Sequence, residues 1–242
     1  MTATYKIADR VIEISSLHGD VHDYCRQYRF DGVPDFSVVT VQADIEAERE
    51  KEKITAEAEQ RAAHSGPDGY LEELAVYRKI AEKMLEYDTF LFHGSCVAVD
   101  GVGYLFTASS GTGKSTHTRL WRELLGERAV MVNDDKPLIR VSEDGATIYG
   151  TPYNGKHGLG SNIAVPLKAV CLLERAQTNS ICEVGAAEAY PMLVQQMYRP
   201  GEPMQLARSM SLLDAMIRSV RLYRLGCNMD ISAAKTAYEG MK

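Results

Sequence analysis

The chain has 242 residues, of which 45% are hydrophobic and 25% are charged. This length excludes a multi-domain assembly and fits one α/β domain with a modest appendage, and the apolar fraction excludes global disorder. The 33 acidic and 27 basic side chains leave a net charge of −6, which argues against nucleic-acid binding through general electrostatics.

The sequence pattern carries no signal for a membrane or for secretion. No uninterrupted apolar run approaches the roughly 20 residues of a membrane helix. The first ten residues lack a basic start followed by an apolar stretch. The five cysteines are widely spaced and form no C-x-x-C pair, which predicts neither a disulfide framework nor a zinc site. We therefore expect a cytoplasmic protein without a membrane partner.

The first part of the chain is predicted to form a small α+β lobe. Alternating apolar residues predict strands at residues 4–7 and 11–14. A short helix at residues 21–28 and a strand at residues 36–42 follow. The lobe thus combines short strands with a single short helix.

A charged segment follows the lobe. Residues 43–63 carry seven acidic and four basic side chains with few large apolar groups, a pattern typical of a solvated helix or a mobile connector. The glycines and the proline of residues 65–69 then break any helix. We therefore predict a lobe of residues 1–65 and a second domain of residues 66–242.

The second domain is predicted to alternate helices and strands. A helix at residues 70–87 leads into a β-rich run at 89–99, and Asp100 and Gly101 predict a hairpin to a strand at 102–108. An amphipathic helix follows Gly113. The remaining predicted elements are strands at 129–132, 138–141, 147–149, 169–174 and 222–227, and helices at 187–197, 212–221 and 231–241. This order predicts an α/β domain.

A glycine-rich loop between the strand at 102–108 and the amphipathic helix matches the phosphate-loop pattern G-x-x-x-x-G-K-[ST], except that Ala108 replaces the first glycine. Successive backbone N–H groups of such a loop point at a phosphate, and the start of the helix adds its positive dipole. Lys114 would contact the β and γ phosphates and Ser115 would bind Mg²⁺. The predicted nucleotide-binding residues are Ser110, Gly111, Thr112, Gly113, Lys114, Ser115 and Thr116.

Two adjacent carboxylates, Asp134 and Asp135, follow the strand at 129–132. Functional groups of α/β sheets collect beyond the carboxyl ends of the strands, so we expect this pair to face the phosphate loop. One carboxylate would hold Mg²⁺ while the other accepts a proton from a nucleophilic hydroxyl. The alternative is a polar turn after a strand, and the pattern itself does not assign the two roles.

Two further residues that can carry a positive charge, His93 and Lys156, are candidate site residues. His93 lies on the strand that leads to the hairpin, as either a site residue or a core histidine. Residues 150–162 are rich in glycine and contain Lys156. This stretch would close over the phosphates with Lys156 countering transition-state charge, or it would form a surface hairpin.

The strand with His93, the hairpin at Asp100, the phosphate loop and the strand ending on Asp134 and Asp135 together resemble the catalytic domain of HPr kinase/phosphorylase and its kinase-like relatives. The resemblance covers residues 93–140 and continues more loosely beyond. It implies a P-loop-containing core like that of HPr kinase and phosphoenolpyruvate carboxykinase. It also implies that Lys114 and Ser115 bind nucleotide and Mg²⁺ and that one of the two aspartates activates the acceptor.

The sequence departs from that family in two places. The N-terminal lobe is shorter than the family's N-terminal domain, and an acidic residue leading into R-G-L-G is replaced by Gly-Lys-His-Gly-Leu-Gly at residues 155–160. The resemblance therefore extends to kinase-like relatives with varied acceptors and not to phosphorylase activity or to HPr as the substrate.

These observations predict an ATP- and Mg²⁺-dependent kinase whose acceptor is a hydroxyl on a small molecule, a peptide or a protein. The predicted catalytic residues are His93, Asp134, Asp135 and Lys156, and the predicted metal ligands are Ser115 and Asp134. The alternatives are a non-catalytic nucleotide-binding module and a carboxykinase-like lyase. Since relatives are commonly oligomeric, the resemblance also implies a homo-oligomer.

Overall fold

The computed structural model describes residues 1–58, 60–63, 66–155 and 157–242. These residues form two compact units, Met1–Lys83 and Met84–Lys242. The division falls later in the chain than the predicted boundary between residues 65 and 66, because the helix that follows that boundary is bonded to the first unit.

A three-stranded sheet lies in the first unit. Strands β1 (Thr2–Ile7) and β2 (Arg10–Ser15) are antiparallel, and β3 (Phe36–Val39) runs parallel to β2. Ala8 and Asp9 connect β1 to β2 with positive φ angles of 49° and 62°, as a two-residue hairpin requires. Helix α1 (Asp20–Tyr24) is shorter than predicted and is followed by a 3₁₀ turn at Arg26–Tyr28.

Two longer helices complete the first unit, α2 (Gln42–Ala58) and α3 (Asp68–Met84). The charged segment is thus a helix, and most of its residues are exposed, but a few of them are buried. Glu48 of α2 is 5% exposed because Arg78 of α3 donates to it over 2.6 Å. Ion pairs therefore bury a face that the sparse apolar residues of α2 would not bury alone.

Helix α3 belongs to the first unit because of Glu72, which is fully buried. Its carboxylate accepts hydrogen bonds from the backbone N–H groups of Leu17 and His18, over 2.7 and 2.8 Å, and from the hydroxyl of Thr40. These donors follow β2 and β3, so one side chain ties α3 to the small sheet.

A nine-stranded mixed sheet lies in the second unit. Its strands are β4 (Thr89–Leu91), β5 (Ser95–Val99), β6 (Val102–Thr107), β7 (Ala129–Asn133), β8 (Leu138–Ser142), β9 (Gly145–Tyr149), β10 (Ala164–Arg175), β11 (Ser180–Glu183) and β12 (Arg221–Cys227). Their order in the sheet is β4-β8-β9-β10-β6-β5-β7, with β12 paired to β10 and β11 paired to β12. The sequence did not predict β11. The predicted β-rich run is divided into β4 and β5, and His93 lies between them.

Helices cover both faces of this sheet. One core contains Leu193 of α5 (Ala186–Gln196) and Leu213 of α6 (Pro203–Ser219). The other contains Trp121 of α4 (Lys114–Leu125) and Ala234 of α7 (Ile231–Met241). The prediction of a mixed α/β domain is confirmed, with α6 beginning well before its predicted start. None of the helices described is long and apolar enough to cross a membrane.

The strand directions determine where the loops meet. Strands β6, β10 and β12 are mutually parallel. Strand β7 runs in the same direction as β6, since both are antiparallel to β5. The carboxyl ends of β6, β7, β10 and β12 therefore lie at one edge of the sheet.

Candidate functional site

The glycine-rich loop, residues 108–113, connects β6 to α4. Gly111 and Gly113 have φ angles of +76° and +117°, which L side chains rarely adopt. No atom lies within 4 Å of a Cβ built on Gly111, so the backbone conformation rather than space requires glycine there. The first helical bond runs from the N–H of His117 to the carbonyl of Gly113 over 2.9 Å. The helix thus begins directly at the loop, as predicted.

Lys114 lies at the start of α4, and its side chain folds back along the loop. Its Nζ donates to the carbonyl of Ala108 over 3.1 Å. Burial lowers the pKa of Lys114, and the charges of Asp135 and Asp134 oppose that shift. The ammonium group therefore lies close to both carboxylates without forming an ion pair among the described residues.

The turn that carries the two aspartates is shaped by Asn133, which is fully buried. The Oδ1 of Asn133 accepts from the backbone N–H groups of Asp135 and Lys136, over 2.9 and 2.8 Å. Just before this turn, the pairing between β5 and β7 shifts register, because Cys96 faces Asn133 while Val97 faces Met131. This β-bulge changes the direction of the chain where the aspartates leave the sheet.

The carboxylate of Asp134 lies beside Ser115, which is in the first turn of α4. Its Oδ1 accepts from Ser95 Oγ over 2.6 Å, and Ser95 in turn is 2.8 Å from Thr118 Oγ1. Burial raises the pKa of Asp134, and hydrogen bonds from Ser95 and Ser115 reduce that rise. The hydroxyl of Ser115, in the first turn of α4, and the carboxylate of Asp134, directly after β7, are thus adjacent.

Asp135 has different partners. His93 Nε2 lies 3.3 Å from its Oδ1, and Lys136 Nζ lies 3.5 Å from its Oδ2. Burial favours the neutral acid, but the hydrogen bond from His93 and the charge of Lys136 outweigh it and lower the pKa of Asp135. The backbone N–H of Gly94 also donates to the carbonyl of Asp135 over 3.0 Å. The pKa values of the two neighbouring carboxylates are therefore shifted in opposite directions.

These groups surround one cavity of about 480 Å³ at the carboxyl edge of the sheet, which we call the phosphate-side cavity. Its lining residues are His93, Ser110, Gly111, Gly113, Lys114, Ser115, Thr116, Asp134, Asp135, Gly155 and His157. The structure thus brings together the predicted site residues with two exceptions. Thr112 lines a neighbouring cavity, and Lys156 lies outside the described residues.

The sequence interpretation missed two contributors. Ser95 was assigned to a strand without a site role, and its only signal was a hydroxyl within an apolar run. His157 contributes to the cavity wall from the stretch in which Lys156 was singled out. Within the described residues no group of three or more His, Cys, Asp or Glu side chains is placed to hold a metal ion. A Mg²⁺ bound by Ser115 and Asp134 would depend on ligand oxygens to complete its coordination.

The comparisons with known proteins give one family assignment. The fold and site define a three-layer α/β protein with a glycine-rich loop opposite paired carboxylates. A family model described as SynChlorMet cassette protein ScmC matches residues 71–230, and the chain belongs to this family.

Among solved structures, the Hpr(Ser) kinase/phosphatase from Coxiella burnetii matches with 9% identity and a TM-score of 0.34. The match covers 62% of this chain and 94% of that chain. No curated protein matches the sequence.

Proposed function

We propose that this protein is a kinase that transfers the γ-phosphoryl group of ATP to a hydroxyl acceptor in the presence of Mg²⁺. The supporting observation is the phosphate-side cavity, in which a glycine-rich loop and Lys114 lie opposite two carboxylates with different partners. Phosphoryl transfer depends mainly on positioning and charge stabilisation, and these residues supply both.

The loop and Lys114 fit a polyphosphate. The positive φ angles of Gly111 and Gly113 expose backbone N–H groups at the start of α4, where the helix dipole favours an anion. Burial disfavours the charged form of Lys114, and bound phosphates would favour that form. Lys114 would then hold the β and γ phosphates in line with the acceptor.

Ser115 and Asp134 would hold Mg²⁺, since their oxygens are adjacent and Asp134 accepts its other hydrogen bond from Ser95. The metal, when bound, neutralises charge on the phosphate oxygens. A carboxylate whose pKa is raised by burial favours a cation beside it. The geometry therefore supports the metal-binding role for Asp134 and leaves Asp135 for the acceptor.

Asp135 would accept the proton of the acceptor hydroxyl as the new O–P bond forms and the bond from phosphorus to the leaving oxygen breaks. Its hydrogen bond from His93 holds the carboxylate ionised and oriented. A pKa below the usual range makes Asp135 a weak base, but a loose transition state requires little proton removal before the bond forms.

Two other functions compete with this proposal. A nucleotide-binding module without catalysis needs a metal ligand but no second carboxylate. The separate Asp135–His93 pair therefore favours phosphoryl transfer over nucleotide binding alone. A carboxykinase-like lyase would act on oxaloacetate, and no observation on the described residues favours it.

The test is transfer of label from γ-labelled ATP to free serine, to hydroxyl-bearing peptides and to a pool of small hydroxyl compounds. We expect at least one acceptor to be labelled and Lys114→Ala to abolish labelling. Lys235→Ala is the matched control, because Lys235 is an exposed lysine of α7 outside the cavity. Tight ATP binding with no acceptor labelled would support the binding module instead.

A further inference from the structure

A second cavity of about 480 Å³ adjoins the glycine-rich loop. It shares Gly111, Gly113 and Thr116 with the phosphate-side cavity, so the two recesses meet at the loop. Its other lining residues are Thr112, His117, Leu120, Arg175, Ala176, Cys227, Asn228 and Met229. We call this recess the base cavity. Its volume lies within the range of about 300–1,000 Å³ that is typical of small-molecule sites.

The walls of the two cavities differ in chemistry. Carboxylates, hydroxyls and a lysine line the phosphate-side cavity, whereas Leu120, Ala176 and Met229 give the base cavity apolar walls. Met229 is 80% exposed, although it follows a strand that ends in the sheet. A thioether on a flexible side chain packs well against flat aromatic rings. An apolar recess that opens beside a phosphate-binding loop has the chemistry of a heterocycle site.

One wall residue is a buried histidine with an unused donor. His117 is 2% exposed, and its Nε2 accepts from Trp121 Nε1 over 3.0 Å. Burial lowers the pKa of His117 to about 4, so the ring is neutral near pH 7 and its proton lies on Nδ1. This Nδ1 has no hydrogen-bond partner among the described residues. This Nδ1 is itself buried, so the ring contributes a neutral aromatic wall to the base cavity rather than a donor that a ligand can reach.

Arg175 connects the cavity to the loop. It lies at the end of β10, and its Nη2 donates to the carbonyl of Gly111 over 2.5 Å. Its guanidinium therefore lies where a phosphate chain would pass from the loop towards the base cavity. A cation at this position suits a ligand that is anionic at one end and apolar at the other.

We propose that the base cavity binds the nucleobase of the phosphoryl donor. This inference rests on the proposed function of the loop. It makes the donor a nucleoside triphosphate and excludes a bare inorganic polyphosphate, since only a nucleotide has a heterocycle to fill the apolar recess.

Cysteine alkylation tests the placement in the unmodified protein. Cys227 lines the base cavity, Cys182 is exposed outside it, and the other three cysteines are buried. Burial raises the pKa of the Cys227 thiol, so N-ethylmaleimide labelling is measured by mass spectrometry at mildly alkaline pH. We expect ADP to slow labelling of Cys227 several-fold and to leave Cys182 unchanged. Inorganic triphosphate, which engages only the loop, should leave Cys227 unprotected.

A pair of exposed methionines gives a matched substitution. Met229 and Met204 are 80% and 82% exposed, and only Met229 lines the cavity. We expect Met229→Ala to weaken ADP binding by about 3- to 10-fold without changing triphosphate binding. Met204→Ala should change neither. Equal weakening of ADP and triphosphate by Met229→Ala would contradict a contact with the base.

The two proposals fail in different ways. If triphosphate binds and Lys114→Ala abolishes that binding, but ADP neither binds more tightly nor protects Cys227, the base cavity is wrong and the phosphate site stands. If neither ADP nor triphosphate binds, the proposed function itself is wrong.

Discussion

Two sets of buried ionisable residues, one in each unit, respond to burial in opposite ways. In the first unit, Glu48 and Glu72 are saturated with donors, and hydrogen bonds outweigh burial and lower the pKa of each. At three residues of the second unit, burial is the larger influence. It raises the pKa of Asp134 and lowers the pKa of Lys114 and His117, away from their charged forms.

This difference separates structural charges from functional ones. A saturated carboxylate such as Glu72 has no oxygen left for a ligand, so its role is to connect elements of the fold. A lysine and an aspartate whose charged forms are disfavoured, Lys114 and Asp134, retain capacity that a ligand would satisfy, and both line the phosphate-side cavity.

The largest effect is expected at Asp135. Asp135→Asn removes the proposed proton acceptor while keeping its size, so we expect the rate of phosphoryl transfer to fall by about 10²- to 10⁴-fold with ATP affinity nearly unchanged. Asp144→Asn, in the exposed turn between β8 and β9, is the control. A parallel loss of ATP binding in the Asp135 variant would assign Asp135 to the nucleotide rather than to the acceptor.

The stability of the two units should respond differently to loss of a carboxylate. Glu72→Gln breaks a fully buried network, so we expect a loss of about 3 kcal/mol in the free energy of unfolding. Asp134→Asn replaces a carboxylate whose charged form burial disfavours, so it should leave stability unchanged or slightly raised. Urea unfolding measures both, with Glu46→Gln on the exposed side of α2 as the control. Equal destabilisation by the two substitutions would remove the distinction between the units.

The pH dependence of stability should sharpen the same comparison. Unfolded His117 binds a proton below its ordinary pKa of 6.5, whereas the folded residue does so only near 4. Protons therefore favour the unfolded chain, and stability is lost as the pH falls from 6.5 to 4, by at most roughly 3 kcal/mol. Fluorescence of Trp121 reports this unit alone, since the chain has a single tryptophan. The shift of the transition between pH 6.5 and 4 should be smaller in His117→Phe.

Glu73 of the first unit should respond in the opposite direction. Burial, with a contribution from Asp20, raises its pKa to about 7. The folded residue thus holds a proton between pH 4.5 and 7 that the unfolded one releases, and stability is lost as the pH rises across this interval. Hydrogen exchange of α3 amides, corrected for intrinsic rates, measures the change. Glu73→Gln should abolish it, and an unchanged pH dependence in that variant would assign the effect elsewhere.

The smallest effect is expected at Ser95. Ser95→Ala removes one hydrogen bond to Asp134 and should raise its pKa further. We expect the metal concentration for half-maximal activity to rise by a few-fold, because the proton competes more effectively for the carboxylate. Ser142→Ala on β8, an exposed serine away from the cavity, is the control. An unchanged metal requirement would argue that Asp134 does not bind the metal.

Local chemistry explains what the sequence predicted correctly. The glycine-rich loop, the start of α4 and the turn at Asp134 are each determined by a few consecutive residues whose backbone preferences agree. The topology then places the glycine-rich loop and the turn at Asp134 at one edge of the sheet, because β6 and β7 run in the same direction. These parts of the site could therefore be predicted from the sequence.

Contacts between distant residues explain what the sequence did not predict. The unit boundary depends on Glu72, whose donors lie more than thirty residues away along the chain. The base cavity combines Thr116 of α4, Arg175 at the end of β10 and Met229 in the segment after β12. The burial of Glu48 depends on Arg78 of another helix. No local pattern encodes such pairings.

Strand β5 acts as the common spacer of the site. It is hydrogen-bonded to β6 on one side and to β7 on the other, and Ser95 and His93 lie at or just before its first residue. Deleting one residue within β5 would turn the side chains beyond the deletion to the opposite face and separate Ser95 from Asp134. Changes of length at Asp100 and Gly101, at the other end of the hairpin, would leave that spacing intact. The turn of this hairpin can therefore change in length without disturbing the site, whereas β5 tolerates substitution but not insertion or deletion.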